Sequence, residues 1–168
     1  EDLLTIPDIE GMRLRTNVES VWLPEVMETA LLLIKNKDNK EIIINMPENF
    51  PNVSGDKNRL EQVFVNLIEN AVKYAYSESK IIVEGVVEDN IAKIFIKNDC
   101  DVIPPKKLQT LFEKFIRLDD NTTRTTRGTG LGLFIVKGLV EAMQGEIKLS
   151  SDKKCGFCVE VCLKLAAD

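Results

Sequence analysis

Eight apolar residues between Leu60 and Ala75 recur at spacings of three and four, and no other stretch restricts the fold so strongly. Leu60, Val63, Phe64, Leu67, Ile68, Ala71, Val72 and Ala75 form one stripe of a helix running from Asp56 to about Tyr76. A helix with one long apolar side needs a second layer to bury it. Strand patterns provide that layer: Lys40 to Met46, Lys80 to Glu88, Ile91 to Lys97, Glu146 to Ser150 and Phe157 to Leu165. Glu88-Asp89-Asn90 reads as a hairpin turn. Further helices are expected from Pro24 to about Lys37, from Lys106 to Phe115 and from Leu131 to Met143, the last ended by Gly145. Pro47 to Gly55 reads as a loop. This order predicts an α+β chain: a two-layer α/β sandwich with a mixed sheet and helices on one face.

At 168 residues the chain suits a single domain with a real core. Its longest aliphatic run, Ala30 to Ile34, is far too short to span a bilayer. Glu1 and Asp2 stand where a signal peptide would be basic. Glu1 to Arg15 is weakly patterned; Leu3, Leu4, Ile6 and Ile9 suggest a helix end interrupted by Pro7, as at the cut end of a longer protein. With 22 Lys+Arg against 27 Asp+Glu, the net charge of −5 argues against broad nucleic-acid binding. There is no histidine. That excludes, within this chain, histidine metal sites, Ser-His-Asp triads and a histidine phosphoacceptor.

The four cysteines are Cys100, Cys155, Cys158 and Cys162. Cys155-Gly156-Phe157-Cys158 has the spacing of a redox or metal motif. Cys158 and Cys162, however, lie on one face of an expected strand with Cα atoms ~13 Å apart, too far for one metal. Small packing residues are the favoured reading.

Two clusters carry chemistry. Asn66, Asn70 and Lys73 fall on one helical stripe away from the apolar one. A solvated face is the plain reading. Yet Asn is a poor helix former, and an amide oxygen suits Mg²⁺ while a lysine one turn on suits a phosphate. The second cluster is Arg127-Gly128-Thr129-Gly130-Leu131-Gly132-Leu133, which opens a helix. It reads either as a tight turn or as a phosphate cradle at a helix N-terminus, where Thr129 adds a hydroxyl and Arg127 a charged fork. Together they suggest a nucleotide held with Mg²⁺ between two helices. The polar stretch Leu118 to Gly130 is expected to be mobile and to serve as a lid.

These residues resemble a known family. Asn66-Leu67-Ile68-Glu69-Asn70-Ala71-Val72-Lys73-Tyr74 looks like the N box of sensor histidine kinases. Leu111-Phe112-Glu113-Lys114-Phe115-Ile116-Arg117 is similar to their F box, and Gly128 to Leu133 to their second glycine box. The resemblance covers roughly Val18 to Leu165 and implies the Bergerat ATP-binding fold shared with DNA gyrase and MutL. It assigns Asn70 to Mg²⁺, Asn66 to the metal and phosphates, and Lys73 to a phosphate. Tyr74 would pack on adenine, with Asn98 and Ile103 also at the base. Phe112 and Phe115 would anchor the lid, and Arg117 would touch a phosphate during transfer. Arg127, Gly128, Thr129, Gly130, Leu131 and Gly132 would follow the triphosphate. ATP-hydrolysing relatives carry a Glu four residues before the metal-binding Asn; here that position is Asn66, which implies transfer to a histidine rather than to water.

The resemblance also implies a domain plan. Residues 1–15 would be the tail of a truncated dimerisation helix or linker, and 16–168 the catalytic ATP-binding domain. The partners would be a histidine-bearing dimerisation domain and a response regulator, with no nucleic acid and no membrane contact. The fragment would be monomeric, the full-length protein a homodimer, and the compartment cytoplasmic, an organelle stroma or the cytoplasmic side of a membrane-bound parent.

One box departs from the family. Where the family has Asp-x-Gly-x-Gly-Ile-Pro, this chain reads Asn98-Asp99-Cys100-Asp101-Val102-Ile103-Pro104. Asn98 replaces the carboxylate that accepts from the adenine amino group. Cys100 and Val102 replace glycines, adding side chains and disfavouring left-handed backbone. Two readings follow: an active kinase domain using ATP and Mg²⁺, or a degenerate domain that acts as a signalling scaffold.

Overall fold

A computed structural model describes residues 15–35, 37–113 and 132–167. The elements in chain order are β1 (Glu19–Val21), α1 (Leu23–Leu33), β2 (Glu41–Asn45), β3 (Val53–Gly55), α2 (Lys57–Tyr74), β4 (Lys80–Glu88), β5 (Ile91–Asn98), α3 (Pro105–Thr110), α4 (Gly132–Ala142), β6 (Glu146–Asp152) and β7 (Gly156–Lys164). Five strands form one mixed sheet in the order β2-β4-β5-β7-β6. The β2–β4 pair is parallel and the other three pairs are antiparallel.

Alternation fixes which face is covered. Ala92, Ile94, Ile96 and Asn98 of β5 are buried, as are Ile81 and Val83 of β4 and Phe157, Val159, Val161 and Leu163 of β7. Their apolar members share one core with Leu60, Phe64, Leu67 and Ile68 of α2 and Ile135, Val136, Leu139 and Val140 of α4. The other face carries charge: Lys97 pairs with Glu84 at 2.9 Å and Lys93 with Glu88 at 3.0 Å. This is the expected sandwich, with helices on one side of a mixed sheet.

Local chemistry sets the ends of the elements. Asp56 caps α2: its Oδ1 accepts from the Arg59 N–H at 3.2 Å, and its Oδ2 from the Asn17 N–H at 2.8 Å. At the other end, Lys40 Nζ donates to the carbonyls of Val72 (2.5 Å) and Ala75 (3.0 Å). The β4–β5 hairpin turns on Asp89 and Asn90, both left-handed with φ of 53° and 61°.

Several expectations need correction. The stretch 47–55 is not all loop: β3 pairs with β1 in a separate two-stranded sheet. Helix α1 stops at Leu33, and α3 ends at Thr110 with a turn after it. After α4 the left-handed residue is Gln144 (φ 60°), not Gly145. The N–H of Gln144 bonds Glu141 and that of Gly145 bonds Val140, both at 2.9 Å, which is a Schellman ending. Gly145 is needed for another reason: a Cβ there would lie 2.7 Å from the Cys162 carbonyl oxygen.

Cys158 and Cys162 are buried within β7, and burial pushes both thiol pKa values up. The expectations for residues 1–14, for the helix end at Leu3 to Ile9 and for the lid at 118–130 lie outside the described residues.

Candidate nucleotide site

The amide row lies along α2, held at both ends by Asp56 and Lys40. Asn66 and Asn70 are half-buried rather than on an open face. Asn66 Nδ2 is buried without a hydrogen-bond partner among the described residues. The first residue of α4, Gly132, lies directly over Asn70: a Cβ at 132 would sit 3.7 Å from Asn70 Nδ2 and 3.9 Å from Oδ1. The described end of the glycine-rich run and the amide row therefore meet, although 62 positions separate Asn70 from Gly132 in sequence. Lys73 and Tyr74 follow on the last turn of α2, with Lys73 Nζ 5.2 Å from the Tyr74 ring centroid.

Beyond the last turn of α2, Tyr74 and Ile103 line a cavity of about 300 Å³ together with Tyr76, Cys100, Asp101 and Lys107. Its wall is tied at two points to Tyr76, just past the end of α2. The Tyr76 N–H donates to the Asp99 carbonyl at 2.9 Å, and the Tyr76 hydroxyl donates to the Asp101 carboxylate. That hydrogen bond, with burial and the Asp101 charge behind it, pushes the Tyr76 phenol up to about 12. A third tie joins the wall to the β6–β7 hairpin. Ile103 N–H donates to Ser151 Oγ at 2.9 Å, and the Ser151 hydroxyl donates to the Gly156 carbonyl at 2.5 Å.

Asn98 closes β5 beneath this wall, only 3% exposed, and its Nδ2 makes no hydrogen bond of normal geometry among the described residues. The two replaced glycines cause less difficulty than their sequence suggests. Neither Cys100 nor Val102 is left-handed. Cys100 packs half-buried against the core, with its Sγ donating to the Asp101 carbonyl at 3.3 Å. Burial first, then the Asp101 charge, raise the Cys100 thiol pKa, while the nearby Asn98 amide partly offsets them. Val102 is 46% exposed and, like Cys100, lines the cavity. The backbone part of the case for a degenerate domain is therefore absent: neither position needs the left-handed conformation that a glycine would permit.

Phe112 is half-buried against the core, with Lys137 Nζ 5.1 Å above its ring. Phe115, Arg117, Arg127, Gly128, Thr129, Gly130 and Leu131 lie outside the described residues. Ser151, Gly156, Tyr76 and Lys40 escaped the sequence reading. Only Gly156 gave a signal, as a glycine after Lys153-Lys154-Cys155 between two strands.

The fold and this groove define a nucleotide-binding sandwich: half-buried amides facing a glycine-led helix start, with a partly open cavity of about 300 Å³ beside them. A sequence profile described as "Histidine kinase-, DNA gyrase B-, and HSP90-like ATPase" matches residues 55–167. The chain is 37% identical over 148 residues to the sensor protein VanS of Enterococcus faecium, covering 88% of the chain and 38% of that protein. It is 30% identical over 162 residues to the sensor protein KdpD of Escherichia coli, covering 96% of the chain and 18% of that protein. The chain thus spans well under half the length of these relatives. In fold it is similar to the Acinetobacter baumannii histidine kinase AdeS, with a TM-score of 0.78 at 24% identity, covering 99% of this chain and 76% of that one. The chain belongs to this ATPase family, as an ATP-binding catalytic domain of the sensor histidine kinase type.

Proposed function

We propose that this domain holds Mg-ATP between α2 and the start of α4 and passes the γ-phosphoryl group to a histidine on a separate polypeptide segment. The observation that carries this is the meeting of Asn70 with Gly132, beside the unpaired buried amide of Asn66. Polar atoms buried without partners are rare in native proteins, and a ligand is a good reason for one.

The residues fit a magnesium ion that arrives with the nucleotide. Amide oxygens are neutral hard donors, and no group of three or more acidic, Cys or His side chains able to hold a metal occurs among the described residues. Phosphate oxygens would complete the shell. Asn70 would ligate the metal and Asn66 would support it and the phosphates. The bound ion would offset charge on the phosphoryl oxygens. Lys73 would meet a phosphate as a point charge. Tyr74, Asn98 and Ile103 would hold the base. Phe112 and Phe115 would anchor the lid, Arg127 to Gly132 would follow the triphosphate, and Arg117 would meet the group in transfer.

Direction follows from what is missing near the phosphates. Asn66 cannot take a proton from water, so hydrolysis lacks a general base at that place. The acceptor must lie elsewhere, because the chain has no histidine. The partners would be a histidine-bearing dimerisation domain and, downstream, a response regulator, with residues 1–15 as the linker to the former. The described residues include no helix long and apolar enough to cross a membrane.

The test mixes this chain and γ-³²P-ATP with a separately made dimerisation segment from the same parent protein. Acid-labile, base-stable label on that segment, and none on this chain, is the expected result. Release of inorganic phosphate with no labelled segment contradicts it.

A further inference from the structure

Asp56 and Asn98 are the buried polar side chains among the described residues. They differ in one respect. Both Asp56 oxygens accept hydrogen bonds, whereas Asn98 Nδ2 has only the Cys100 thiol near it and makes no hydrogen bond of normal geometry among the described residues. A buried donor left unpaired costs its full desolvation, so its natural complement is an acceptor supplied from outside the chain. Asn98 sits at the end of β5, between Ile81 of β4 and Phe157 of β7, on the side of the sheet facing α2. It is two residues from Cys100 and five from Ile103, both of which line the cavity.

We infer that Asn98 makes the base subsite permissive, so that it takes 6-oxopurine nucleoside triphosphates as well as ATP. This rests on the proposed placement of the base against Asn98. An amide carries one acceptor and one pair of donors side by side. The edge of adenine offers an amino donor at C6 and an acceptor at N1. Asn98 meets it with Oδ1 accepting from the amino group and Nδ2 donating to N1. Hypoxanthine reverses the pattern, with an acceptor at O6 and a donor at N1. The same side chain, turned over about its soft terminal torsion, meets that edge equally well. A carboxylate has acceptors only. It would pair with the adenine amino group and oppose O6. Asn98 thus keeps the contact with adenine and gives up the discrimination.

The experiment titrates ATP and ITP, each with Mg²⁺, into the wild-type chain and Asn98→Asp by calorimetry. In wild type the two dissociation constants should agree within about tenfold. In Asn98→Asp the preference for ATP over ITP should widen by about tenfold or more. Wild type that binds ATP but rejects ITP by a hundredfold overturns the inference and leaves the proposed function standing. Binding of neither nucleotide overturns both. The wild-type comparison decides the matter even if the variant fails to fold.

Discussion

Gly156 presses against the end of the neighbouring strand: a Cβ at 156 would lie 2.3 Å from the Asn98 carbonyl oxygen and 2.8 Å from the Cys100 amide nitrogen. Gly156 is also left-handed, with φ of 68°. The box that lost two glycines therefore still has backbone access from a glycine on the facing strand. Gly156→Ala should cost about 2 kcal/mol or more, from strain and forced displacement together. Urea denaturation of the variant checks this. A loss under about 0.5 kcal/mol would mean that the contact relaxes freely.

Lys40 caps the helix that carries the amide row. Its ammonium bonds the carbonyls of Val72 and Ala75, which bracket Lys73 and Tyr74. Lys40→Met keeps the aliphatic stem and removes the charge from the negative end of the helix dipole. The expected loss is about 1 kcal/mol. Amide exchange gives the local readout: protection should fall in the last turn of α2 more than in β5.

Tyr76 titrates late, at about 12, because its hydroxyl donates to the Asp101 carboxylate and ionisation would put two negative charges side by side. The neutral phenol is favoured, so the hydrogen bond persists through neutral pH and is lost as pH rises through about 12. The chain has two tyrosines, and Tyr74→Phe leaves Tyr76 alone. In that background, ultraviolet absorbance should give a midpoint well above the usual ~10, and Asp101→Ala should bring it back toward ~10. An ordinary midpoint with Asp101 present would show that the pair does not form in solution.

Helix α2 was legible in the sequence because three signals agree: the Asp56 cap, an unbroken apolar stripe and a length of several turns. The Asp89–Asn90 turn was legible because residues that tolerate left-handed backbone sit between two alternating runs. The β1–β3 pair was not. Each strand has three residues, too few for a period to show, and Ser54-Gly55 has no β-forming character. The amide row was visible as a stripe, but its burial was not. The burial of Asn66 Nδ2 and the placing of Asn70 beside Gly132 depend on packing between α2 and α4, which no local pattern encodes. The fit of Cys100 and Val102 into their loop, and the tie through Ser151, likewise arise from distant chain segments.

The central claim is that the amides of α2 and the start of α4 form one Mg-ATP site. Calorimetric titration of the chain with ATP, with and without Mg²⁺ and alongside Asn70→Ala, tests it most directly. Micromolar binding that depends on Mg²⁺ and weakens by about tenfold or more in a folded Asn70→Ala variant is the predicted result. Binding of equal strength with and without Mg²⁺, unchanged in Asn70→Ala, would contradict it.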